Sequence, residues 1–280
     1  MEISANKVFA LFVLALKRLF ADEAVPLAGN IAFRTMFSIF PFLIFLTSLA
    51  GFVGSADLAK QIVNYLVSVA PQQLVRPLSA EITGILTVPH SGLLSVSAIL
   101  TIWSAMAGVD SIRVALNRAY DIRETRNIFV IYAQNVVFVI GAAVLLLSVA
   151  VLLVVIPVVT SLLANYAPEQ LVNLGSIERL RYPVAILLLV TGLYVAHQAL
   201  PARRSRATTI LPGILLTVIV WLALTEIFSF WLLRFNTFAS TYASLSGIFA
   251  AMFFLYLAAL VLIFGGEFNR VLMLLKEPPA

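Results

Sequence analysis

Cysteine is absent from this 280-residue chain, and charged residues are scarce. Without cysteine there is no disulfide framework, no thiolate metal site and no catalytic thiol. Charged residues make up 11% of the chain and hydrophobic residues 62%, with a mean hydropathy of +1.05. A soluble domain is about a quarter charged, so these charges are too few to cover a solvated surface. The surplus apolar surface is expected to face lipid.

Histidine and the common enzyme motifs are also scarce. The two histidines, His90 and His197, are far apart in the sequence, and neither has the spacing of an HExxH metal site. We expect His197 to lie at the membrane interface rather than to bind a ligand. No P-loop, GxSxG or GxGxxG motif is present. The sequence therefore predicts a protein that is not an enzyme, with no cofactor and no bound metal.

Long apolar runs are what the chain does contain. A hydrocarbon layer about 30 Å thick needs roughly 20 apolar residues in a helix. Six runs of about this length predict transmembrane helices: 31–53, 93–109, 136–159, 183–200, 210–233 and 244–266. The predicted fold is an all-α, polytopic membrane bundle that forms one domain over residues 1–280. Segment 1–29 is expected to be a cytoplasmic interfacial helix, loop 55–87 to form short outer-face helices, and loop 164–182 to form an outer cap.

The basic residues predict the orientation of the bundle. The formal net charge is +5 and the pI is near 9.7. Most Lys and Arg fall in the N-terminal segment, the loops after the second and fourth spans, and the C-terminal tail. Because such residues favour cytoplasmic loops, both termini are expected in the cytoplasm. Membrane lipids are then the expected partners and nucleic acid is not, whereas the oligomeric state stays undetermined.

Ionisable residues within the spans are the main functional lead. Charges at the bilayer centre are costly and usually face a bundle interior or a water-filled path. Glu226 follows a charge-free run in the fifth span, and Arg234 lies on the same helical side. Arg34, near the start of the first span, is a second possible partner. These groups are interpreted either as structural ion pairs or as a proton or substrate site.

Other polar and helix-bending residues extend this set. Trp103, Asp110 and Asn117 recur every seven residues and should line one face of the second span. Pro41 removes a backbone donor within the first span and can kink it. The full candidate cavity or intramembrane polar network is Arg34, Ser38, Pro41, Asp110, Asn117, Glu226, Arg234, Tyr242, Glu267 and Asn269.

Several short motifs resemble the YihY/BrkB family of bacterial inner-membrane proteins. They are Ala32 to Pro41, Asn117 to Asp121, Leu211 to Gly213 with Trp221, Thr241 to Ser244, and Gly265 to Asn269. Their order and spacing cover nearly the whole chain. Arg34 departs from this resemblance, because a small or aromatic residue is expected at its position.

The resemblance implies a six-helix protein of a bacterial inner membrane, with no settled activity. The family has carried the label ribonuclease BN, and it includes members associated with serum resistance and with export of lipid A precursors. Three hypotheses follow. The first is a transporter or lipid-translocating protein with an internal polar cavity and a lipid or ion substrate. The second is a non-transporting structural or interaction protein of the envelope. The third, which the absence of a hydrolytic metal motif disfavours, is a membrane ribonuclease that processes tRNA.

Overall fold

The computed structural model describes residues 5–53, 93–156, 174–203, 206–234 and 243–275. Within these ranges the chain is helical and contains no strand, which confirms the all-α prediction. The helices are α1 (Ala5–Ala21), α2 (Ala24–Val53), α3 (Leu93–Ala119), α4 (Ile128–Ala150), α5 (Leu174–Ala199), α6 (Ala207–Arg234) and α7 (Ala243–Leu274). A π-helical turn, Val151–Val155, continues α4.

Five of these helices are long and apolar enough to cross a membrane, by length and composition, among the residues described. The candidate spans are Ser95–Ala119, Ile128–Leu153, Arg179–Ala199, Ala207–Leu232 and Gly247–Leu274. The first predicted span, 31–53, lies within α2, whose last turns include side chains outside the described part. A total of six spans and the orientation of the termini stay predictions.

The helices run further than the spans predicted from apolar runs. The second predicted span stops at residue 109, whereas α3 continues to Ala119; the sixth stops at residue 266, whereas α7 continues to Leu274. In each case the apolar run ends beside an acidic residue, Asp110 or Glu267. Both carboxylates are paired with arginine in the structure, so the helix continues past them.

Small residues let the central helices approach closely. Helix α2 packs along α3 and α7, and α1 lies against α7. Buried alanines fill these contacts, which is typical of helix packing in membranes: Ala24, Ala28, Ala115, Ala119 and Ala259. Helices α6 and α7 come closer still, because a Cβ on Gly213 would lie 2.1 Å from the carbonyl oxygen of Gly265. The bundle is therefore tightly joined around α7.

The outer surface is apolar, as a lipid-facing surface must be. The most apolar stretch of α4 has no residue buried inside the bundle. Helix α1 has two faces: Ala15 and Leu19 are buried against the bundle, whereas Phe9 and Phe20 are 72% and 65% exposed. This division suits a helix that lies along the membrane surface.

Several predictions fall on residues outside the described ranges. These are the outer-face helices of loop 55–87, the first part of the cap at 164–182, and Tyr242; the side chain of Arg234 also lies outside. The end of the predicted cap, from Leu174 onward, belongs to α5.

Candidate functional site

Most polar side chains of the described residues gather at one end of the bundle, which we call the basic end. It is the end where Arg18, Arg118, Arg126 and Arg270 form ion pairs. The ends of α3, α5 and α7 and the first turns of α6 meet there, since Tyr120 after α3, His197 on α5, Asn269 on α7 and the α6 backbone are joined by hydrogen bonds. Three polar clusters occupy this end, and a fourth extends from it into the bundle.

The first cluster is the Asn269 clasp, formed by Asn269, Tyr120, His197 and the α6 backbone on either side of Pro212. Asn269 Oδ1 accepts a hydrogen bond from the Gly213 N–H at 2.7 Å, and its Nδ2 donates to the Ile210 carbonyl at 2.8 Å. Pro212 has no N–H and interrupts the regular helical bonding of α6. The carboxamide of Asn269 therefore secures α6 to α7 where α6 is locally weakest.

Tyr120 and His197 complete the clasp. Asn269 Nδ2 donates to the Tyr120 hydroxyl at 3.1 Å, and that hydroxyl lies 2.6 Å from His197 Nδ1. Burial raises the pKa of Tyr120 above its ordinary value, so the phenol keeps its proton and can donate it in this hydrogen bond. His197 lies in the last turn of α5, as a helix-end residue should, but its side chain is only 1% exposed. The side chain of His197 therefore lies inside the bundle, with Nδ1 against the Tyr120 hydroxyl, and its depth at the membrane interface stays a prediction.

The second cluster is the Glu124 network, formed by Asp110, Arg113, Asn117, Glu124 and Arg126. The Glu124 carboxylate accepts hydrogen bonds from Arg113, from Asn117 at 3.1 Å, and from Arg126 Nε and Nη2, each at 2.8 Å. Arg113 also forms two bonds to Asp110, at 2.8 and 3.0 Å. The hydrogen bonds from Arg126 lower the pKa of Glu124 from 4.5 to about 2, with Arg113 contributing.

Arg126 and Asn117 join this network to the end of α5. Arg126 Nη2 donates to the Leu200 carbonyl at 2.7 Å, and the Asn117 side chain accepts from the Ala202 N–H at 2.9 Å. Gln134 on α4 contacts both Arg126 and the Ala199 carbonyl. The turn after α3 is thus fixed to α4 and α5 by charge-assisted hydrogen bonds, which are stronger than neutral ones.

The third cluster joins α1 to α7. Arg18 Nε donates to Glu267 at 2.9 Å, and its Nη2 donates to Asp22 at 3.1 Å. The Glu267 side chain is fully buried, whereas that of Arg18 is 24% exposed. Arg18 therefore supplies the compensating charge for a carboxylate enclosed in the bundle.

The fourth cluster follows the contact between α2 and α3 and is called the α2–α3 seam: Asn30 and Arg34 on α2 against Ala107 and Ser111 on α3. Arg34 Nε donates to Asn30 Oδ1 at 3.0 Å, and its Nη1 donates to the Ala107 carbonyl at 3.1 Å. Asn30 in turn lies 3.4 Å from the Ser111 hydroxyl. Arg34 is half-buried, so the seam carries a cation partly into the bundle.

The remaining sequence candidates do not all join these clusters. Glu226 lies on an exposed face of α6, and Trp103 is 64% exposed although Asn117 on the same predicted stripe is buried. Ser38 is half-buried and donates to the carbonyl of residue 35 at 2.7 Å, and Pro41 lies within α2. The structure therefore brings Arg34, the candidates of α3 and those at the end of α7 into polar clusters, but it leaves Ser38, Pro41 and Glu226 outside them.

Sequence reasoning overlooked several residues that complete the clusters, among them Tyr120, Glu124, Arg126 and, as a buried group, His197. Tyr120 belongs to the Asn117–Asp121 motif, and this was the available signal. Glu124 and Arg126 stand in a charged loop, where a solvated face is the ordinary expectation. The role of Arg126 depends on contacts with the end of α5, more than 70 residues away in the sequence.

Comparison with known proteins places the chain among membrane proteins. A family described as virulence factor BrkB matches residues 15–278. The chain is 29% identical over 273 residues to YfkH of Bacillus subtilis (strain 168), a protein named as ribonuclease-like, and the match covers 94% of this chain and 97% of that one. No solved structure matches at a significant level.

Proposed function

The chain belongs to the BrkB family, and from this premise we propose that it is a bacterial inner-membrane protein that translocates a lipid or an ion. Its apolar helices make it a multi-pass membrane protein. We further propose six spans with both termini in the cytoplasm, because the basic end collects the Lys and Arg that favour that side. The proposed role is translocation without chemical conversion of the substrate, and it needs no cofactor.

The observation that carries this proposal is the depth of Arg34. With a rise of about 1.5 Å per residue, Arg34 lies about 15 Å from the start of α2 at Ala24. The first predicted span begins at residue 31, so Arg34 stands about 5 Å inside the hydrocarbon layer, on the side of the basic end. A cation there is costly unless it serves a path or a partner.

Glu226 is a weaker candidate for the centre of the path. It stands about 28 Å from the start of α6 at Ala207 by the same helical rise. Its carboxylate therefore lies far from the basic end, on an exposed face of α6. We therefore propose that the α2–α3 seam, rather than the Glu226 face, leads substrate from the basic end into the membrane.

Reconstitution into liposomes tests the proposal. The purified chain should speed the movement of a headgroup-labelled phospholipid between leaflets, measured by chemical quenching of the outer leaflet, or the movement of an ion, measured with a trapped dye. Arg34→Gln should slow this movement strongly, whereas Glu226→Gln should slow it little. Arg118→Gln is the matched control, because it removes the same charge from an exposed side chain at the basic end. No movement above protein-free liposomes for any lipid or ion would overturn the proposal.

One observation supports the alternative that the protein is a structural or interaction protein of the envelope and transports nothing. In the Asn269 clasp and the Glu124 network the side chains bond mainly to one another, as glue between helices would. Under this alternative, replacing these residues lowers bundle stability and no translocation exists to be lost. The ribonuclease hypothesis is tested separately: RNA cleavage by the purified chain with added divalent metal would support it.

A further inference from the structure

Arg34 differs from the other enclosed arginines in the kind of partner it has. Arg18, Arg113 and Arg126 each contact a carboxylate at the basic end. Arg34 bonds to the carboxamide oxygen of Asn30 and to a backbone carbonyl, and both acceptors are neutral. Within the described ranges it forms no ion pair, so its positive charge is held in place but is not neutralised.

The two hydrogen bonds leave part of the guanidinium unused. They engage Nε and Nη1, and no described residue accepts from Nη2. A guanidinium has five N–H donors in a planar fork that matches the oxygens of a phosphate or carboxylate. Asn30 and the Ala107 carbonyl hold this fork in a fixed orientation, which reduces the entropy lost when an anion binds.

The surroundings of Arg34 indicate where the anion comes from. Its neighbours on α2, Phe33 and Phe37, are 58% and 52% exposed, and their rings stack with centroids 6.2 Å apart. These exposed rings would form an apolar surface in contact with acyl chains beside a half-buried cation. A free ion would have to reach this position through hydrocarbon, whereas a lipid can slide its headgroup along the seam.

We propose that Arg34, oriented by Asn30 and Ala107, binds the phosphate group of a lipid headgroup at the α2–α3 seam, with the acyl chains against Phe33 and Phe37. This inference rests on the proposed function and names its substrate class as phosphate-bearing lipids. No covalent step is involved. Binding adds an anion at the unused Nη2 and leaves the hydrogen bonds of Arg34 to Asn30 and Ala107 in place.

Binding to the full-length chain in detergent tests the inference directly. The probes are phosphatidic acid, phosphatidylglycerol, uncharged diacylglycerol with the same acyl chains, and inorganic phosphate, with bound lipid counted by native mass spectrometry. Both phospholipids should bind. Diacylglycerol should bind at least about tenfold more weakly, because a charge-assisted contact is missing. Inorganic phosphate in excess should not displace them; equal binding of inorganic phosphate would overturn the assignment to a lipid.

Two variants separate a binding role from a structural one. Arg34→Gln should weaken phospholipid binding by about 10- to 100-fold, and Arg34→Lys should recover part of it, because a point charge replaces the fork. Arg118→Gln should bind like the unaltered chain. Retained binding in Arg34→Gln would overturn the inference. Recovery of binding in Arg34→Lys would show that the loss in Arg34→Gln comes from the missing charge and not from misfolding.

The binding and translocation assays can fail independently. If Arg34→Gln loses phospholipid binding but neither the unaltered protein nor any variant moves lipid, the binding site stands and the proposed function fails. If lipid moves at the same rate in Arg34→Gln, the function stands and the site at Arg34 is refuted.

Discussion

Replacing Asn269 with leucine should destabilise the bundle by about 2 kcal/mol, although leucine has the same branched shape and the same number of side-chain heavy atoms. Asn269 forms three hydrogen bonds, to the Gly213 N–H, the Ile210 carbonyl and the Tyr120 hydroxyl. Interhelical hydrogen bonds in membrane proteins contribute about 0.6 kcal/mol each on average, which accounts for most of this figure. The Gly213 N–H left beside Pro212 without its acceptor adds to the cost.

Asn135→Leu is the matched control for this change. Asn135 is 1% exposed and Asn269 is fully buried, so both substitutions remove a carboxamide from the interior. Asn135 donates one long bond to Asp110, at 3.4 Å, and among the described residues its Oδ1 has no partner. Its replacement should therefore change stability by less than about 0.5 kcal/mol or raise it. Unfolding by sodium dodecyl sulfate in mixed micelles, followed by circular dichroism, measures both. Equal losses for the two variants would refute the reasoning.

Three further predictions concern the helix crossing, the loop network and the α1 contact. Gly213→Ala should lower stability by about 1–3 kcal/mol, because the new Cβ would lie 2.1 Å from a carbonyl oxygen of α7. Gly141→Ala, with nothing within 4 Å of the new Cβ, should raise stability by about 0.5–1 kcal/mol. Thermal unfolding compares the two variants, and equal shifts would contradict the close contact between α6 and α7. The lowered pKa of Glu124, about 2 against 4.5, means that its stabilisation is complete above about pH 4.5 and is lost as the pH falls toward 2. Melting temperatures between about pH 5 and 2.5 should therefore fall less steeply in Glu124→Gln, and parallel profiles would argue against this. Arg18→Gln removes the charged partner of the fully buried Glu267 and should cost roughly 2 kcal/mol more than Glu267→Gln, with the double variant resembling Glu267→Gln. Strict additivity in this cycle would refute the pairing.

The polar end of the bundle was partly predictable from the sequence, because charged and carboxamide side chains within an apolar helix usually contact other polar groups rather than lipid. Asp110, Asn117, Glu267 and Asn269 interrupt or end apolar runs, and the structure places all four in polar clusters. Their partners were harder to predict. His197 lies 77 residues from the Tyr120 hydroxyl that satisfies it, and no local pattern shows this pairing.

Glu226 and Arg34 show which positional information the sequence does not contain. Glu226 drew attention because a charge-free run precedes it, but a run of letters gives neither the true start of the helix nor the face that a residue occupies. The structure begins α6 at Ala207 and exposes Glu226. Arg34, which departs from the family pattern, is by contrast half-buried against α3. The proposed site is therefore placed at Arg34 rather than at Glu226.

Closing the α2–α3 seam with a reversible crosslink tests the translocation account most directly. A Cβ on Gly108 would lie 4.0 Å from the Thr35 hydroxyl oxygen, so the paired changes Thr35→Cys and Gly108→Cys bring two thiols within reach of a disulfide. The chain has no cysteine of its own, so this disulfide has no competitor. In proteoliposomes the oxidised double variant should stop moving labelled phospholipid, and reduction should restore movement to the level of the single variants. Unchanged movement with the crosslink fully formed would contradict a path along the seam.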